Sequence, residues 1–420
     1  MALKPLPEKM SICLVSETFP VIGRAAAQGF LWPIAKGLTK AGHRVTLICW
    51  DSPFEDRELT QDGVEAFFVK RPGDNRLRQF PIHARHKFEE LHRKTPFDIV
   101  HSLSSSAFLI GTEKKKYQVA MAYDVQATKM AQLFSLIGMS TDTSYSRLNT
   151  GLRVAYRFLK TYFGRDRQLL SSADGVFVNS PQQRLTLERY YLYPELKTYQ
   201  VPYGMEIGDL SQRQGSDELR VKLNIPKSAK VAVTVSDMQE KQEIVNILNA
   251  FQEVVIKKPS SYLIILGDGP MFKEIEYHML DLALSNHVIL TGAVPSYEVP
   301  DYVDLANVFI NIGARTSGFE PSLLEAMIQE KVIIGSEVSP ISTIVEDAVD
   351  GFLIRPADVY ALSQLLLNLF LNNISSEQVG QNARKKVLDL FNTQRMIQEM
   401  VGAYEDILVS TGKYQKSRDA

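Results

Sequence analysis

Several short segments carry residues able to hold and polarise a phosphate-bearing ligand. The first turn of a helix leaves its N–H groups without acceptors, and the helix dipole is positive there, so anions settle at helix starts. The segment Thr316–Met327, TSGFEPSLLEAM, offers such a start: Gly318 permits close approach, Pro321 precedes the helix and an apolar run follows. Ser322 and Glu325, three residues apart, also fit a capping box that needs no ligand. The spacing leaves both readings open. A cation is the second requirement, and Lys241, near the start of the helix after VAVTVS, is the candidate. A positive charge in a first turn opposes the dipole unless an anion sits beside it.

Two glycine-containing loops extend this set. LIILGDGP ends a strand in a turn at Gly267 that can bring backbone close to a flat ligand such as a base, although a plain turn reads the same way. Gly23, in the loop after the first strand, either faces a ligand or makes an ordinary strand-to-helix turn. No Asp-x-Asp pair and no His/Cys cluster of zinc spacing occurs, so no metal is expected.

These segments need elements to position them. Val- and Ile-rich runs alternate with amphipathic stretches along the whole chain. SICLVS, VTLICW, DIVHS, VAMAY and GVFVNS form one series; VAVTVS, YLIILG, HVILTG, NVFINI and VIIGS form a second. Strands apolar on both faces and joined by helices imply parallel sheets covered on each side, hence two doubly wound α/β domains. The break is VPYGMEIGDLSQRQGS, residues 201–216, and the end of the chain is helical. Such sheets place ligands beyond the carboxyl ends of their strands.

The 420 residues suit two domains, and 45% hydrophobic with 23% charged residues excludes a disordered or fibrous chain. There is no apolar run of membrane-spanning length and no apolar leader at the N-terminus. Cys13 and Cys49 read as buried reduced thiols, which points to the cytoplasm. The net charge of −1 hides an asymmetry. Residues 1–200 hold 28 Lys and Arg against 19 Asp and Glu, while the remainder hold 19 against 29. Either the N-terminal half meets something anionic or its basic faces are simply solvated. A nucleic-acid partner is not expected, because no recognition motif accompanies this near-neutral balance.

Taken in order, SETFP…G, GHRVTLI, FDIVHS, ADGVFVNS, VPYGME, a strand followed by Lys, LIILGDGP, VILTG, GFEPSLLEAM and DGFLIRPAD resemble the landmarks of the retaining family-4 glycosyltransferases from about Ser11 to Asp358. The resemblance implies a GT-B fold: two Rossmann-like domains facing across a cleft, with a C-terminal helix crossing back to the first. On that plan residues 1–204 form the acceptor domain, 205–390 the nucleotide-sugar domain and 391–420 the returning helix. It further implies hexosyl transfer from a nucleotide-diphosphate sugar to a glycan or lipid-linked hydroxyl, with retention and without a metal or other cofactor. Arg315, Thr316, Gly318, Phe319, Ser322, Leu323, Leu324 and Glu325 fall at donor-binding positions, with Glu325 on the ribose hydroxyls.

Several reacting positions depart from the family. Its sugar-contacting Glu falls on Ser317, with Glu320 as a stand-in, and the Arg that accompanies Lys241 aligns near Asp237 or Glu240. A family His corresponds to Tyr123, beside Asp124, and a family Glu to Thr343. Two functions are compatible with this pattern: a divergent transferase, or a catalytically impaired relative that binds or scaffolds in glycan synthesis. An epimerase on the same fold lacks the His and acidic cluster it would need. The stretch from Arg147 to Arg167 interleaves Arg and Lys with Tyr156, Phe158, Tyr162 and Phe163. It reads either as a helix lying on an anionic membrane, suiting a lipid-linked acceptor at the inner face of the cell membrane, or as an ordinary solvated amphipathic helix.

Overall fold

The structure is a computed structural model, and it describes residues 3–17, 31–50, 58–69, 80–125, 165–204, 216–238, 241–295, 298–313, 321–338 and 341–415. Contacts divide the described residues into two units. Unit 1 holds those through Gly204 together with those from Thr393 onward, and unit 2 holds the stretch between.

The strands of unit 1 are β1 (Lys4–Pro5), β2 (Ser11–Ser16), β3 (Arg44–Trp50), β4 (Glu58–Gln61), β5 (Val64–Val69), β6 (Ile99–Leu103), β7 (Ala120–Asp124), β8 (Gly175–Val178) and β9 (Thr198–Gln200). Those of unit 2 are β10 (Lys230–Val235), β11 (Ser261–Leu266), β12 (Val288–Leu290), β13 (Val308–Asn311), β14 (Val332–Ser336) and β15 (Phe352–Ile354); β16 (Tyr414–Gln415) returns to unit 1.

In unit 1 the sheet order is β4-β5-β3-β2-β6-β7-β8-β9, parallel throughout except for the β4–β5 hairpin. That hairpin turns on Asp62 and Gly63, both at positive φ, as a tight two-residue turn requires. β2, β3, β6 and β7 are buried nearly end to end, as strands covered on both faces must be. Cys13 and Cys49 are buried free thiols on adjacent strands. The helix Leu31–Lys40 ends before Gly42, whose φ of +94° suits glycine. The last helix, Thr393–Ser410, buries Met396, Ile397, Met400, Tyr404 and Ile407 in unit 1, and beyond it β16 pairs in parallel with β1.

Unit 2 has the order β12-β11-β10-β13-β14-β15, all parallel. Counted from its first strand this is 3-2-1-4-5-6, the doubly wound order whose connections reverse direction between β10 and β13. The helix Gln242–Lys257 follows β10 and buries Ile244, Ile247, Leu248, Phe251 and Val254 against the sheet. Among the described residues, no helix is long and apolar enough to cross a membrane.

Candidate functional site

The strand order reverses between β10 and β13, and in doubly wound sheets that reversal is where a crevice opens beyond the carboxyl ends of the strands. After β10 the chain makes a tight turn in which Met238, buried and at φ +47°, donates its N–H to Ser236 Oγ at 3.2 Å. Lys241 then forms the N-cap of the Gln242–Lys257 helix without a side-chain cap bond. After β11, Gly267 adopts φ +127° and presses so close that a Cβ there would lie 1.8 Å from the Ser236 carbonyl oxygen. Gly269 meets the Asp237 carbonyl in the same way, at 2.0 Å, and the Met271 N–H donates to the Met238 carbonyl at 3.1 Å. The Gly267–Gly269 turn and the loop after β10 are therefore fused backbone to backbone. That explains why glycine occupies both positions. Gly313, just past β13, has the Glu243 carboxylate 3.4 Å from where its Cβ would sit, so the starts of these elements adjoin.

The Pro321–Ile328 helix is the next described element after β13. Because the helix begins at Pro321, Ser322 is its second residue and not its cap, so the capping-box reading is corrected. Ser322 is 1% exposed, and its hydroxyl has no hydrogen-bond partner among the described residues. A buried hydroxyl left unpaired costs about 1–3 kcal/mol, so its presence at a helix start calls for an explanation. Leu323 and Leu324 are fully buried by their side chains. In this first turn the backbone N–H groups that the helix leaves without an intrahelical acceptor are those of Ser322 and Leu323. Glu325 is half-buried on the next turn.

Lys241 is not idle. Its Nζ lies 2.6 Å from Glu274 Oε2, in the first turn of the Phe272–Asp281 helix, and both side chains are half exposed. Glu274 escaped the sequence reading, because its contact with Lys241 spans 33 residues and is purely tertiary.

Tyr123 and Asp124 belong to unit 1 and alternate across β7. Both are buried, so neither side chain is exposed to a substrate here, although the resemblance puts Tyr123 at a reacting position with Asp124 beside it. Tyr123 points towards Gly111 and places its hydroxyl 3.2 Å from Ser172 Oγ, and burial pushes its pKa up to about 12. Asp124 faces the other way. Both of its oxygens accept from the Tyr203 hydroxyl, at 2.8 and 2.7 Å, and burial raises its pKa to about 7 against the opposing effect of that bond. Tyr203 stands where the chain leaves unit 1 and was read from sequence only as part of a linker. The next residue, Gly204, donates its N–H to Met396 Sδ at 3.2 Å. Beside this group His101 bonds Tyr404 Oη through Nδ1 at 2.6 Å and stacks on Phe177, and burial lowers its pKa to about 3.

Gly23, Arg315, Thr316, Ser317, Gly318, Phe319 and Glu320 lie outside the described residues, as does the basic aromatic stretch before Arg165. Among the described residues no group of three or more His, Cys, Asp or Glu has metal-holding geometry.

Two parallel doubly wound sheets, one of them ending in a Gly-walled crevice beside a helix start, define a GT-B protein. Similarity to known proteins agrees. The model described as "Glycosyl transferase 4-like domain" matches residues 29–204, and "Glycosyl transferases group 1" matches 215–386. The chain belongs to this glycosyltransferase family, of the family-4 type. It is similar to the UDP-Gal:alpha-D-GlcNAc-diphosphoundecaprenol alpha-1,3-galactosyltransferase of Escherichia coli, at 20% identity over 371 residues covering 87% of this chain and 90% of that one. Three further curated relatives are matched over 54% to 66% of their own length. Among solved structures, sucrose-phosphate synthase from Thermosynechococcus elongatus shares the fold with a TM-score of 0.80 at 17% identity, over 96% of this chain and all of that one. HepE from Anabaena, solved with UDP and glucose, does so with 0.71 at 16% identity, over 94% and 99%.

Proposed function

We propose that the chain transfers a sugar, with retention and without a metal, from a nucleoside-diphosphate donor to a hydroxyl of a glycan or lipid-linked glycan. The observation that carries this reading is the buried Ser322 hydroxyl, without a hydrogen-bond partner among the described residues, in the first turn of the Pro321–Ile328 helix that follows β13. That hydroxyl and the first-turn N–H groups form a preorganised set of donors for the diphosphate. Lys241 supplies the cation and the Gly267–Gly269 turn a backbone wall for the base. Glu325 holds the ribose, while Arg315, Thr316, Ser317, Gly318, Phe319 and Glu320 contact the sugar and phosphates. Gly23 completes the donor-binding set.

In the reaction the acceptor oxygen bonds to the anomeric carbon as the bond from that carbon to the diphosphate oxygen breaks. The departing phosphate takes the acceptor's proton on the same face. The protein's part is stabilisation of the leaving charge, for which loss of one donor typically costs about 3–4 kcal/mol of barrier. The relative acting on a diphosphoundecaprenol-linked sugar supports a lipid-linked acceptor. The basic aromatic stretch 147–167 suits contact with an anionic inner membrane face.

Calorimetry with UDP, GDP and ADP, followed by turnover assays with the matching sugars, tests the reading. One nucleotide is expected to bind, with affinity falling about tenfold or more in Ser322→Ala and Lys241→Ala and turnover falling with it. Binding that ignores both substitutions would refute the site. Binding without turnover against broad acceptor mixtures would replace the transferase with a binding protein.

A further inference from the structure

We propose that Glu274 is a built-in competitor of the donor's phosphates: it occupies Lys241 until the diphosphate displaces it, and so sets how tightly the site holds nucleotide. The inference rests on the donor-site reading above. Lys241 and Glu274 are separated by 33 residues yet joined at 2.6 Å, because the elements that carry them are fused. The Met271 N–H donates to the Met238 carbonyl, and Gly269 packs on the Asp237 backbone. One residue begins the helix after β10, and the other lies in the first turn of the helix after β11. The backbone contacts at Ser236–Met238 thus bring the two helix starts together, and the pair itself is made by the two half-exposed side chains.

The surroundings decide the sign of the effect. Glu243 has its carboxylate beside Gly313, and Asp237 and Asp268 lie in the two fused loops. Lys241 is the lysine assigned to the phosphates, and the carboxylate paired with it is that of Glu274, at 2.6 Å. A diphosphate arriving there meets a cation already neutralised and a carboxylate that repels it. If Glu274 merely aimed the lysine, removing its charge would weaken binding; as a competitor, its removal strengthens binding. An ion pair this exposed is worth at most about 1 kcal/mol, which limits the effect to roughly two- to sixfold.

The test is calorimetry at low salt with inorganic pyrophosphate and with the nucleoside diphosphate that the wild-type chain binds, on wild type, Glu274→Gln, Lys241→Met and the double variant. Glu274→Gln should bind both ligands about two- to sixfold tighter, with the gain shrinking in high salt. In the Lys241→Met background the same change should gain clearly less, since no cation remains to be released. Unchanged or weaker binding by Glu274→Gln overturns the proposal while leaving the donor site intact, provided Lys241→Met and Ser322→Ala still lose affinity. An equal gain in both backgrounds overturns it in favour of simple long-range repulsion. Absence of any nucleotide or pyrophosphate binding removes the donor-site reading and this inference together.

Discussion

Asp124 gives the sharpest quantitative expectation. Its carboxyl is fully buried, and its pKa is raised from 3.8 to about 7. A raised acid favours the folded state while protonated. Its contribution is therefore whole below the unfolded pKa and is lost as pH rises through about 7. At about 1.4 kcal/mol per pH unit, the gap between these values sets a ceiling of about 4 kcal/mol on that loss. Asparagine keeps an oxygen to accept the Tyr203 hydroxyl and carries no charge. Its amide brings donors that need acceptors, which returns about 1–3 kcal/mol of the gain. Asp124→Asn should therefore be about 1–3 kcal/mol more stable than wild type at pH 8, raising Tm by about 2–10 °C for a unit of this size. At pH 5, where the native Asp is already protonated, the advantage should vanish or reverse. Scanning calorimetry of both proteins from pH 5 to pH 8.5 measures the difference directly. A Tm difference that stays constant with pH would refute the argument, because it would mean that the carboxyl does not titrate in the folded protein within this range.

Other outcomes follow from the same contacts. Tyr203→Phe removes the hydroxyl that both Asp124 oxygens accept from, and should cost about 1.5–3 kcal/mol at pH 8 and less at pH 5 by urea unfolding. Gly267→Ala places a Cβ 1.8 Å from the Ser236 carbonyl oxygen at φ +127° and should cost about 3 kcal/mol or more and abolish nucleotide binding. Gly292→Ala, at φ +71° with nothing within 4 Å, should cost only about 1–2 kcal/mol in the same melts. Lys386→Met leaves the Asp350 carboxylate, 2% exposed, without its ion-pair partner; a loss of about 3–5 kcal/mol is expected, measured by thermal unfolding.

The fold was largely legible because its strands are apolar on both faces. Runs such as VTLICW and VAVTVS admit few alternatives once glycines and amphipathic stretches bound them. The β4–β5 hairpin escaped because ELTQ is exposed at a sheet edge and lacks that signature, although Asp62-Gly63 marked its turn. The candidate site was legible in part. Gly267 announced itself by composition, but its reason, contact with the loop after β10, is tertiary. Ser322 was found for a capping geometry it does not have, since a helix starting one turn position earlier puts the same residue inside. Tyr123 and Asp124 show the limit most plainly. Covering of both faces was expected of such strands, but that the strand-end pair Tyr123 and Asp124 is itself enclosed, by Ser172 on one side and Tyr203 on the other, is tertiary. Lys241 was identified, but its partner Glu274 was not, since nothing in the spacing of 33 residues says that two helix starts will meet.

The position of Tyr404 has a consequence for how the molecule is made. His101 sits on a central strand of the first sheet, yet its bonding partner is 303 residues away, in a helix made only after unit 2. Gly204 likewise waits for Met396. A ribosome that has just released residue 392 has emitted every strand of unit 2, whereas unit 1 still lacks the helix that covers His101. The domain that begins first is completed second. Until that helix arrives, the emerging chain carries an open apolar face on which chaperones, or a neighbouring nascent chain, can act.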